Sequence, residues 1–280
     1  MVRSFSVSEP VVTTIPDNKN YRAPSLFVAS ALLREARRQK NLEAKPVPPI
    51  CILDPDGDIV RRLRRTGDAR PAEAWPCYHT QLDCFDLAGQ MVGIIGCVVG
   101  APFAVLIAEE LFASGCELLV SLTSAGRIAS SDRPPFFVII DRALRDEGTS
   151  YHYAPAAEFA HADPELVAMA SEAVRGKPQK VIVGTSWTTD APFRETAEAI
   201  DWARSRNAVA VEMEAAALYT FAQAAKVKIL CLAHVTNTMG QSGEDFEKGE
   251  ADGTADALAV LGAISQMAKD RLKIGRIAAS

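Results

Sequence analysis

The sequence predicts an α/β domain with a central mixed β-sheet flanked by helices, preceded by an N-terminal extension. Short apolar runs rich in β-branched residues alternate with segments whose apolar residues recur at helical spacing. The chain has 280 residues, of which 48% are hydrophobic, so it can fill one large core. No internal repeat is visible, and a solenoid is therefore not expected.

The extension comprises residues 1–49 and is predicted to contain one helix. Residues 1–24 are rich in Ser, Thr, Pro and Asn, whereas residues 25–40 carry apolar side chains at helical spacing behind a serine suited to an N-cap. We expect this helix to pack as a lid or collar on the domain of residues 50–280. The proline-rich linker at residues 45–49 ends it, because proline cannot continue a helix.

The domain itself contains seven apolar runs that are predicted as strands buried on both faces. They lie at residues 50–53, 92–99, 118–122, 136–140, 181–183, 208–211 and 229–233. Five segments are predicted as helices, at residues 104–114, 164–175, 196–205, 215–225 and 255–272. The alternation of the two patterns favours a mixed sheet wrapped by helices.

Composition excludes several classes of partner. A formal net charge of −5 gives no basic surface for polymeric nucleic acid. The N-terminus lacks the apolar stretch of a signal peptide, and no apolar run reaches the ~20 residues that span a bilayer. The six cysteines form no C-x-x-C pair and the four histidines are dispersed, so we expect a cytoplasmic protein with reduced thiols, no metal and no membrane contact.

Ligands of open α/β sheets bind at the carboxyl ends of the strands, and the most informative segment there is residues 211–219. A predicted strand runs directly into an alanine-rich helix, with Glu212 and Glu214 at the junction. Capping of the helix N-terminus is one interpretation of these acids. We favour a second interpretation, a buried site in which a sugar diol donates to a carboxylate, because a buried acid is costly without a partner.

Two other segments at this edge are candidates. Residues 100–102 and 121–126 are rich in small residues, which let backbone N–H groups approach an anion or a sugar hydroxyl, and plain turn chemistry is the alternative. Residues 142–153 are polar and aromatic. Composition alone favours a solvated loop for them, yet Tyr151, His152 and Tyr153 have the rings to close over a sugar or a base.

Residues 211–219, Val-Glu-Met-Glu-Ala-Ala-Ala-Leu-Tyr, resemble the signature of the purine nucleoside/uridine phosphorylase superfamily, which includes phosphorylases and hydrolytic nucleosidases. The likeness covers about residues 50–272. It includes a glycine-proline turn and its helix, a phosphate-side turn, a ribose-side loop and a base-pocket segment, at residues 100–111, 124–126, 145–153 and 187–195. It implies a three-layer sandwich fold and a homo-oligomer, either a dimer or a trimer of dimers.

The resemblance also implies roles for individual residues. Glu214 would accept hydrogen bonds from the 2′- and 3′-hydroxyls of ribose, and Asn237 stands where purine-specific members often place an aspartate. Further substrate contacts are implied for Glu212 at the sugar rim, Met213 on the sugar, Phe193 near the base (or Pro192 in its place), Arg194 and Asp190 at the base edges, His152 and Thr123. Phosphate binding is implied for Gly57, Arg61 and Ser124, with inorganic phosphate as co-substrate and no cofactor.

Two departures from the family pattern bear on the reaction. Arginines of the family's phosphate site are replaced here by Ser121 and Tyr78, although Arg127, Arg142 or Arg145 could substitute. We predict a nucleoside phosphorylase, with a hydrolytic nucleosidase as the alternative and a catalytically silent nucleoside-binding protein as the second alternative. An asparagine at position 237 leaves a pyrimidine, a 6-oxopurine or a modified nucleoside open as substrate.

Overall fold

The computed structural model describes residues 19–129, 132–238 and 253–274 of the chain. Within these ranges the strands are β1 (Ile50–Asp54), β2 (Ala69–Pro71), β3 (Asp83–Asp86), β4 (Met91–Gly96), β5 (Leu118–Arg127), β6 (Phe136–Asp146), β7 (Phe159–His161), β8 (Val181–Thr189), β9 (Ala208–Glu212) and β10 (Lys228–Thr238). The helices are α1 (Ala29–Lys40), α2 (Asp58–Thr66), α3 (Ala101–Ala113), α4 (Pro164–Val174), α5 (Ala197–Ser205), α6 (Ala215–Ala225) and α7 (Thr254–Arg271).

The strands form one mixed sheet that closes partly on itself. Its order is β10-β6-β8-β9-β5-β1-β4-β3-β2, with β7 paired to β6, and β10 pairs with β5 as well as with β6. Strands β5, β10, β6, β8 and β9 therefore form a closed ring. The sheet continues outside the ring from β5 to β1, β4, β3 and β2. Strand β1 is parallel to both of its neighbours, whereas β10 is antiparallel to β6. The predicted mixed sheet is confirmed.

Helices cover the sheet on both sides, which confirms the predicted α/β class. Helix α6 packs against α3 and against strands β6 and β10, while α7 packs against α4 and α2. Every residue of α6 from Ala215 to Phe221 is buried, so this helix lies in the interior. Helix α1 contacts α3, to which it turns the buried side chains of Leu33 and Ala36, and this position agrees with the expected collar.

Helix α1 is shorter than the sequence predicts. It begins at Ala29, and the hydroxyl of Ser25 accepts a hydrogen bond from the backbone N–H of Phe27 at 3.3 Å, which forms a local turn before the helix. Leu26 is fully exposed and Phe27 is 71% exposed. The apolar spacing continues toward the N-terminus, but the serine turn competes with helix formation there.

Several strands are longer than predicted, and one helix was missed. Residues 121–127 belong to β5 and residues 142–146 to β6, so the predicted turn and the start of the predicted loop are wrong. Pairing with β10 at residues 121–127 and with β8 at residues 142–146 satisfies backbone groups of these polar segments, and strand geometry therefore extends past the apolar run. Helix α2 escaped prediction because it is rich in arginine, although Ile59, Val60 and Leu63 form a buried face.

In the parts of the chain described above, no helix combines the length and apolar character needed to cross a membrane. The six cysteines are all free thiols. Four of them, Cys51, Cys77, Cys116 and Cys231, are buried, while Cys97 is exposed beside Gly57. These thiols accordingly serve as packing groups and not as covalent links within the fold.

Tyr219 of α6 provides a test of how the interior helix is joined to the ring. Its hydroxyl donates to the carbonyl of Ile140 at 2.6 Å and accepts from the N–H of Cys231 at 3.0 Å. Tyr219→Phe removes the hydrogen bonds to both buried backbone groups, and we expect a loss of about 1–3 kcal/mol in the free energy of unfolding, measured by urea denaturation. Tyr151→Phe, which removes a half-buried hydroxyl bonded only to the Arg145 carbonyl, should cost clearly less.

Candidate active site

The junction between β9 and α6 is organised by the carboxyl group of Glu212. One oxygen accepts hydrogen bonds from the hydroxyls of Ser186 and Thr188, and the other accepts from the backbone N–H groups of Glu214 and Ala215 at 2.7 Å each. The side chain is 3% exposed. Glu212 therefore lies beneath the junction and not at a rim, and its oxygens are occupied by the protein as in the capping interpretation.

Glu214 has a different environment. Its Oε1 accepts a hydrogen bond from the backbone N–H of Gly100 at 2.7 Å, while Oε2 is buried and has no hydrogen-bond partner among the described residues. Burial, followed by the negative charge of Glu212, raises the pKa of Glu214 to about 8, against the opposing effect of the Gly100 N–H and the Thr123 hydroxyl. Burial also raises the pKa of Glu212, although its four hydrogen bonds act in the opposite direction. Because Glu214 receives fewer hydrogen bonds than Glu212, we assign the proton shared by the two carboxyls at neutral pH to Glu214.

Gly100 connects this carboxyl to α3. The residue has a φ of 92°, a conformation that side chains rarely adopt, and it precedes the helix that starts at Ala101 with proline in its first turn. Because the Gly100 N–H is bonded to Glu214, the start of α3 and the start of α6 are fixed to one another. The predicted glycine-proline turn and the predicted sugar carboxylate thus lie in one cluster with Thr123.

The predicted phosphate residues lie in an acidic environment. Both donors of Ser124 are bonded to the carboxylate of Asp56, the backbone N–H at 2.7 Å and the hydroxyl at 2.8 Å. Asp54, at the end of β1, accepts from the N–H groups of Gly57 and Val60, and burial is the main cause that raises the pKa of Asp54 to about 7. A carboxylate therefore occupies the donors that the family resemblance assigns to phosphate.

The remaining predicted phosphate ligands are also engaged. Arg61 pairs with Asp58, and an added Cβ on Gly57 would lie 2.6 Å from the Cys97 sulfur, so glycine is required there. The cavity between Asp54, Asp56, Asp58, Thr123 and Ser124 measures only about 30 Å³, which is room for one or two water molecules. No group of three or more His, Cys, Asp or Glu in the described ranges is arranged to hold a metal ion.

The arginines considered as replacements for the missing cations make other contacts. Arg145 donates to Ser150 and to the carbonyls of Ala154 and Pro155, and so organises the loop after β6. Arg142 donates to Thr185, and Arg127 donates to the carbonyl of Asp132. Ser121 is a buried serine, and Tyr78 donates to Gln39 of α1, so neither position supplies a positive charge.

A second group of predicted residues lies around a larger cavity of about 550 Å³ between α1, α3 and residues 148–153. His152 and Asp190 line it. The Asp190 carboxylate accepts a hydrogen bond from the N–H of Gly148 at 2.8 Å, and His152 contacts Lys19. Pro102, two residues after Gly100, also lines this cavity and links it to the Glu214 cluster.

The other predicted site residues are Phe193, Arg194, Met213 and Asn237. Phe193 and Arg194 belong to a short 3-10 helix, Pro192–Arg194, and Phe193 is almost fully exposed. Met213 is partly buried between Glu212 and Glu214. Asn237, on β10, stands opposite Gly126 of β5. Their roles in binding a substrate remain predictions.

Asp54 and Asp56 are the site residues that sequence reasoning missed. The signal was present, because aspartates at positions 54, 56 and 58 alternate directly after a predicted strand. The bonded partner of Asp56, Ser124, lies 68 residues away. Their meeting depends on the parallel register of β1 and β5, in which Leu53 faces Ser121, and the sequence alone does not reveal that register.

The sequence of this chain is similar to known proteins of one superfamily. A model of the phosphorylase superfamily matches residues 49–266, and the chain belongs to this family. Guanosine phosphorylase of Halorubrum lacusprofundi is 27% identical over 45% of this chain and 52% of its own length. Uridine phosphorylase of Thermococcus kodakarensis is 26% identical, over 56% of this chain and 63% of its own. This chain thus covers less than two thirds of either relative.

Solved structures agree on the fold. The uridine phosphorylase of Vibrio fischeri in complex with 6-hydroxy-1-naphthoic acid matches with a TM-score of 0.68 at 21% identity, over 83% of this chain and 99% of that one. The purine nucleoside phosphorylase of Toxoplasma gondii in complex with immucillin-H also has a TM-score of 0.68, at 16% identity, over 83% of this chain and 94% of the other. The three-layer architecture implied by the resemblance is confirmed.

The raised pKa of Glu214 predicts a specific pH dependence of stability. Its folded-state value of about 8 lies above the ordinary 4.5, so the folded protein keeps a proton that the unfolded chain releases. This carboxyl therefore costs stability increasingly as pH rises from about 4.5 to 8, and the cost is constant above that. Glu214→Gln should flatten this slope, by at most about 1 kcal/mol per pH unit, in urea denaturation at pH 5 to 9.

Glu198→Gln, at an exposed carboxyl of α5, is the control and should leave the slope unchanged. The readout is the difference in slope and not the absolute stability, because the new amide changes hydrogen bonding at every pH. An unaltered slope in Glu214→Gln would show that the carboxyl is ionised in the folded protein.

Proposed function

We propose that this chain is an enzyme that cleaves the N-glycosidic bond of a nucleoside and transfers the pentose to inorganic phosphate, releasing free base and pentose 1-phosphate. The observation that carries the proposal is the Glu214 carboxyl, which is 1% exposed, fixed at one oxygen by Gly100 and without a partner at the other among the described residues. Burying a carboxyl oxygen without a hydrogen bond costs free energy unless a ligand supplies the missing donor. The hydroxyls of a pentose are suitable donors.

The proposed reaction assigns a role to each group of the cluster. Hydrogen bonds donated by the 2′- and 3′-hydroxyls of the bound nucleoside favour ionisation of Glu214, whose proton passes to solvent. The resulting carboxylate favours the positive charge that develops on the sugar as the bond breaks. The electron pair of the C1′–N bond leaves with the base, and an acceptor oxygen bonds to C1′. Thr123 lies beside the same carboxyl, and Glu212 holds the junction in place.

Asn237 bears on the choice of base. A side-chain amide both donates and accepts a hydrogen bond, which suits a ring N–H beside a carbonyl. Uracil and 6-oxopurines have this arrangement and 6-aminopurines do not. The names of the relatives, guanosine phosphorylase and uridine phosphorylase, support the same two classes. We therefore favour a uridine-like or guanosine-like nucleoside as the substrate, with Asp190, Phe193 and Arg194 near the base.

Hydrolysis is the second candidate, and a specific observation favours it. Asp56 holds both donors of Ser124, and Arg61 is paired with Asp58. A phosphate dianion would have to replace the Asp56 carboxylate and approach two other aspartates. Ser121 and Tyr78, which stand in place of the family's arginines, supply no positive charge to offset this repulsion, so the approach is electrostatically unfavourable. A water molecule fits the cavity of about 30 Å³, and Asp56 would then accept its proton as it attacks C1′.

The same proposal includes a homo-oligomer, a dimer or a trimer of dimers. Leu26, Phe27 and Leu106 expose large apolar side chains, and Phe27 and Leu106 line the larger cavity. A second copy of the chain would remove this surface from water, which is favourable in proportion to the apolar area covered. Sedimentation analysis of the purified chain measures the assembly directly.

Substitution of Glu214 tests the central assignment. Glu214→Gln replaces a charged acceptor of two hydroxyl groups by a neutral amide, so we expect kcat/KM for the preferred nucleoside to fall about 100-fold or more. Release of base from uridine and guanosine is measured by chromatography, with Glu198→Gln as the control that retains full activity. A Glu214→Gln variant as fast as the parent removes this carboxyl from the reaction, and binding without release of base under any condition indicates a catalytically silent binding protein.

Substitution of Asp56 distinguishes the two acceptors. Asp56→Asn keeps the size of the side chain but removes its charge. For a phosphorylase, the KM for phosphate should fall about tenfold because a repelling carboxylate is gone. For a hydrolase, release of free pentose should fall about 100-fold because the base that activates water is gone. The products are resolved as pentose and pentose 1-phosphate, and Asp86→Asn, on the far end of β3, is the control.

A further inference from the structure

The larger cavity has a wall that lies outside the part of the chain matched to the family. Phe27, Ala29 and Leu32 line the cavity from one side, and the family match begins only at residue 49. Across from them are Pro102 and Leu106 of α3. The segment from Lys19 to Lys40 is therefore an addition that this chain places over an edge of the sheet where the Glu214 cluster also lies.

Two contacts tie the start of this segment to the loop after β6. The ammonium nitrogen of Lys19 lies 2.8 Å from Nδ1 of His152, and the hydroxyl of Tyr21 donates to the carbonyl of Tyr151 at 3.3 Å. A lysine ammonium can only donate, so Nδ1 of His152 must accept. The ring is then neutral and carries its proton on Nε2, which is the one polar ring group left for a ligand.

The cavity and the sugar carboxylate share a structural link. Gly100 donates its N–H to Glu214, and Pro102, two residues later, lines the cavity. Asp190, directly after β8, lines it as well and holds Gly148 at the base of the loop that carries His152. We take a nucleoside whose diol is bound by Glu214 to extend toward this cavity, which α1 and α3 line with apolar side chains together with Glu109 and Glu110.

We propose that residues 19–40 form a specificity-determining wall of the nucleoside site, in which Lys19 is a positioning residue that sets the tautomer of His152. Phe27, Ala29 and Leu32 supply apolar contact to the part of the nucleoside that points away from the diol, and the Nε2–H of His152 donates to an acceptor atom of that part. The inference rests on the proposed function, because it takes a nucleoside to be the ligand.

The first experiment replaces Lys19 by methionine and compares it with Arg22→Met, a change at an exposed neighbour. We expect KM for the nucleoside to rise about three- to tenfold with kcat within about twofold, the size of one hydrogen bond. Nitrogen-15 NMR of the four histidines, assigned with His152→Gln, should give a protonated Nε2 and a bare Nδ1 in the parent and a mixture of tautomers in Lys19→Met. An unchanged KM together with an unchanged His152 spectrum overturns the proposal.

The second experiment fills the cavity from the extension. Ala29→Trp places a large ring on the wall, whereas Ser30→Trp places the same ring on the exposed side of the helix. We expect KM to rise at least about tenfold in the first variant only, with both variants folded as judged by thermal denaturation. Leu32→Ala removes apolar contact from the wall without adding bulk, and it should raise KM about threefold or more. This variant tests the wall if Ala29→Trp fails to fold.

The outcomes separate this inference from the proposed function. If the parent releases no base from any nucleoside, the proposed function fails, while the tautomer of His152 still tests the role of Lys19. If the parent is active and the variants at positions 19, 29 and 32 keep its KM, the nucleoside site stands and the extension has no part in it.

Discussion

The site depends on the unequal state of two buried carboxyl groups two residues apart. Glu212 receives four hydrogen bonds that favour its ionised form, while Glu214 receives one firm hydrogen bond and has its pKa raised to about 8. Two adjacent buried charges would repel strongly in a medium of low dielectric, so one of them has to be neutral. The hydrogen bonds of Glu212 fix the start of α6, and one oxygen of Glu214 is left to accept hydrogen bonds from a ligand.

Buried or hydrogen-bonded carboxyl groups also surround the proposed position of the nucleophile, beside Ser124. Asp54 is buried and its pKa is raised to about 7, so it can be neutral near physiological pH, whereas Asp56 is bonded to Ser124 and Asp58 to Arg61. The family resemblance implies phosphate binding in this region, where this chain has three aspartates.

The sequence was sufficient to predict the mixed sheet, the described helices other than α2, and the residues at the β9–α6 junction, because apolar periodicity and one signature segment are local features. It was insufficient for α2 and for the extent of β5 and β6, whose polar ends are strands because they pair with β10 and β8. It was also insufficient for the partner of Asp56 and for the wall formed by α1. Both depend on contacts between segments far apart in the chain, and no local pattern encodes them.

The closed ring has a consequence for how such a site can change during evolution. Thr123 and Ser124 lie within β5, which pairs with β10 along its whole length and with β1 and β9 at its two ends. A rigid strand cannot move its donors toward a different acceptor, as a flexible turn could. A change of co-substrate in this architecture therefore requires substitutions in the neighbouring loop after β1. Exchange of one or two amino acids there alters the local charge without disturbing the ring of strands.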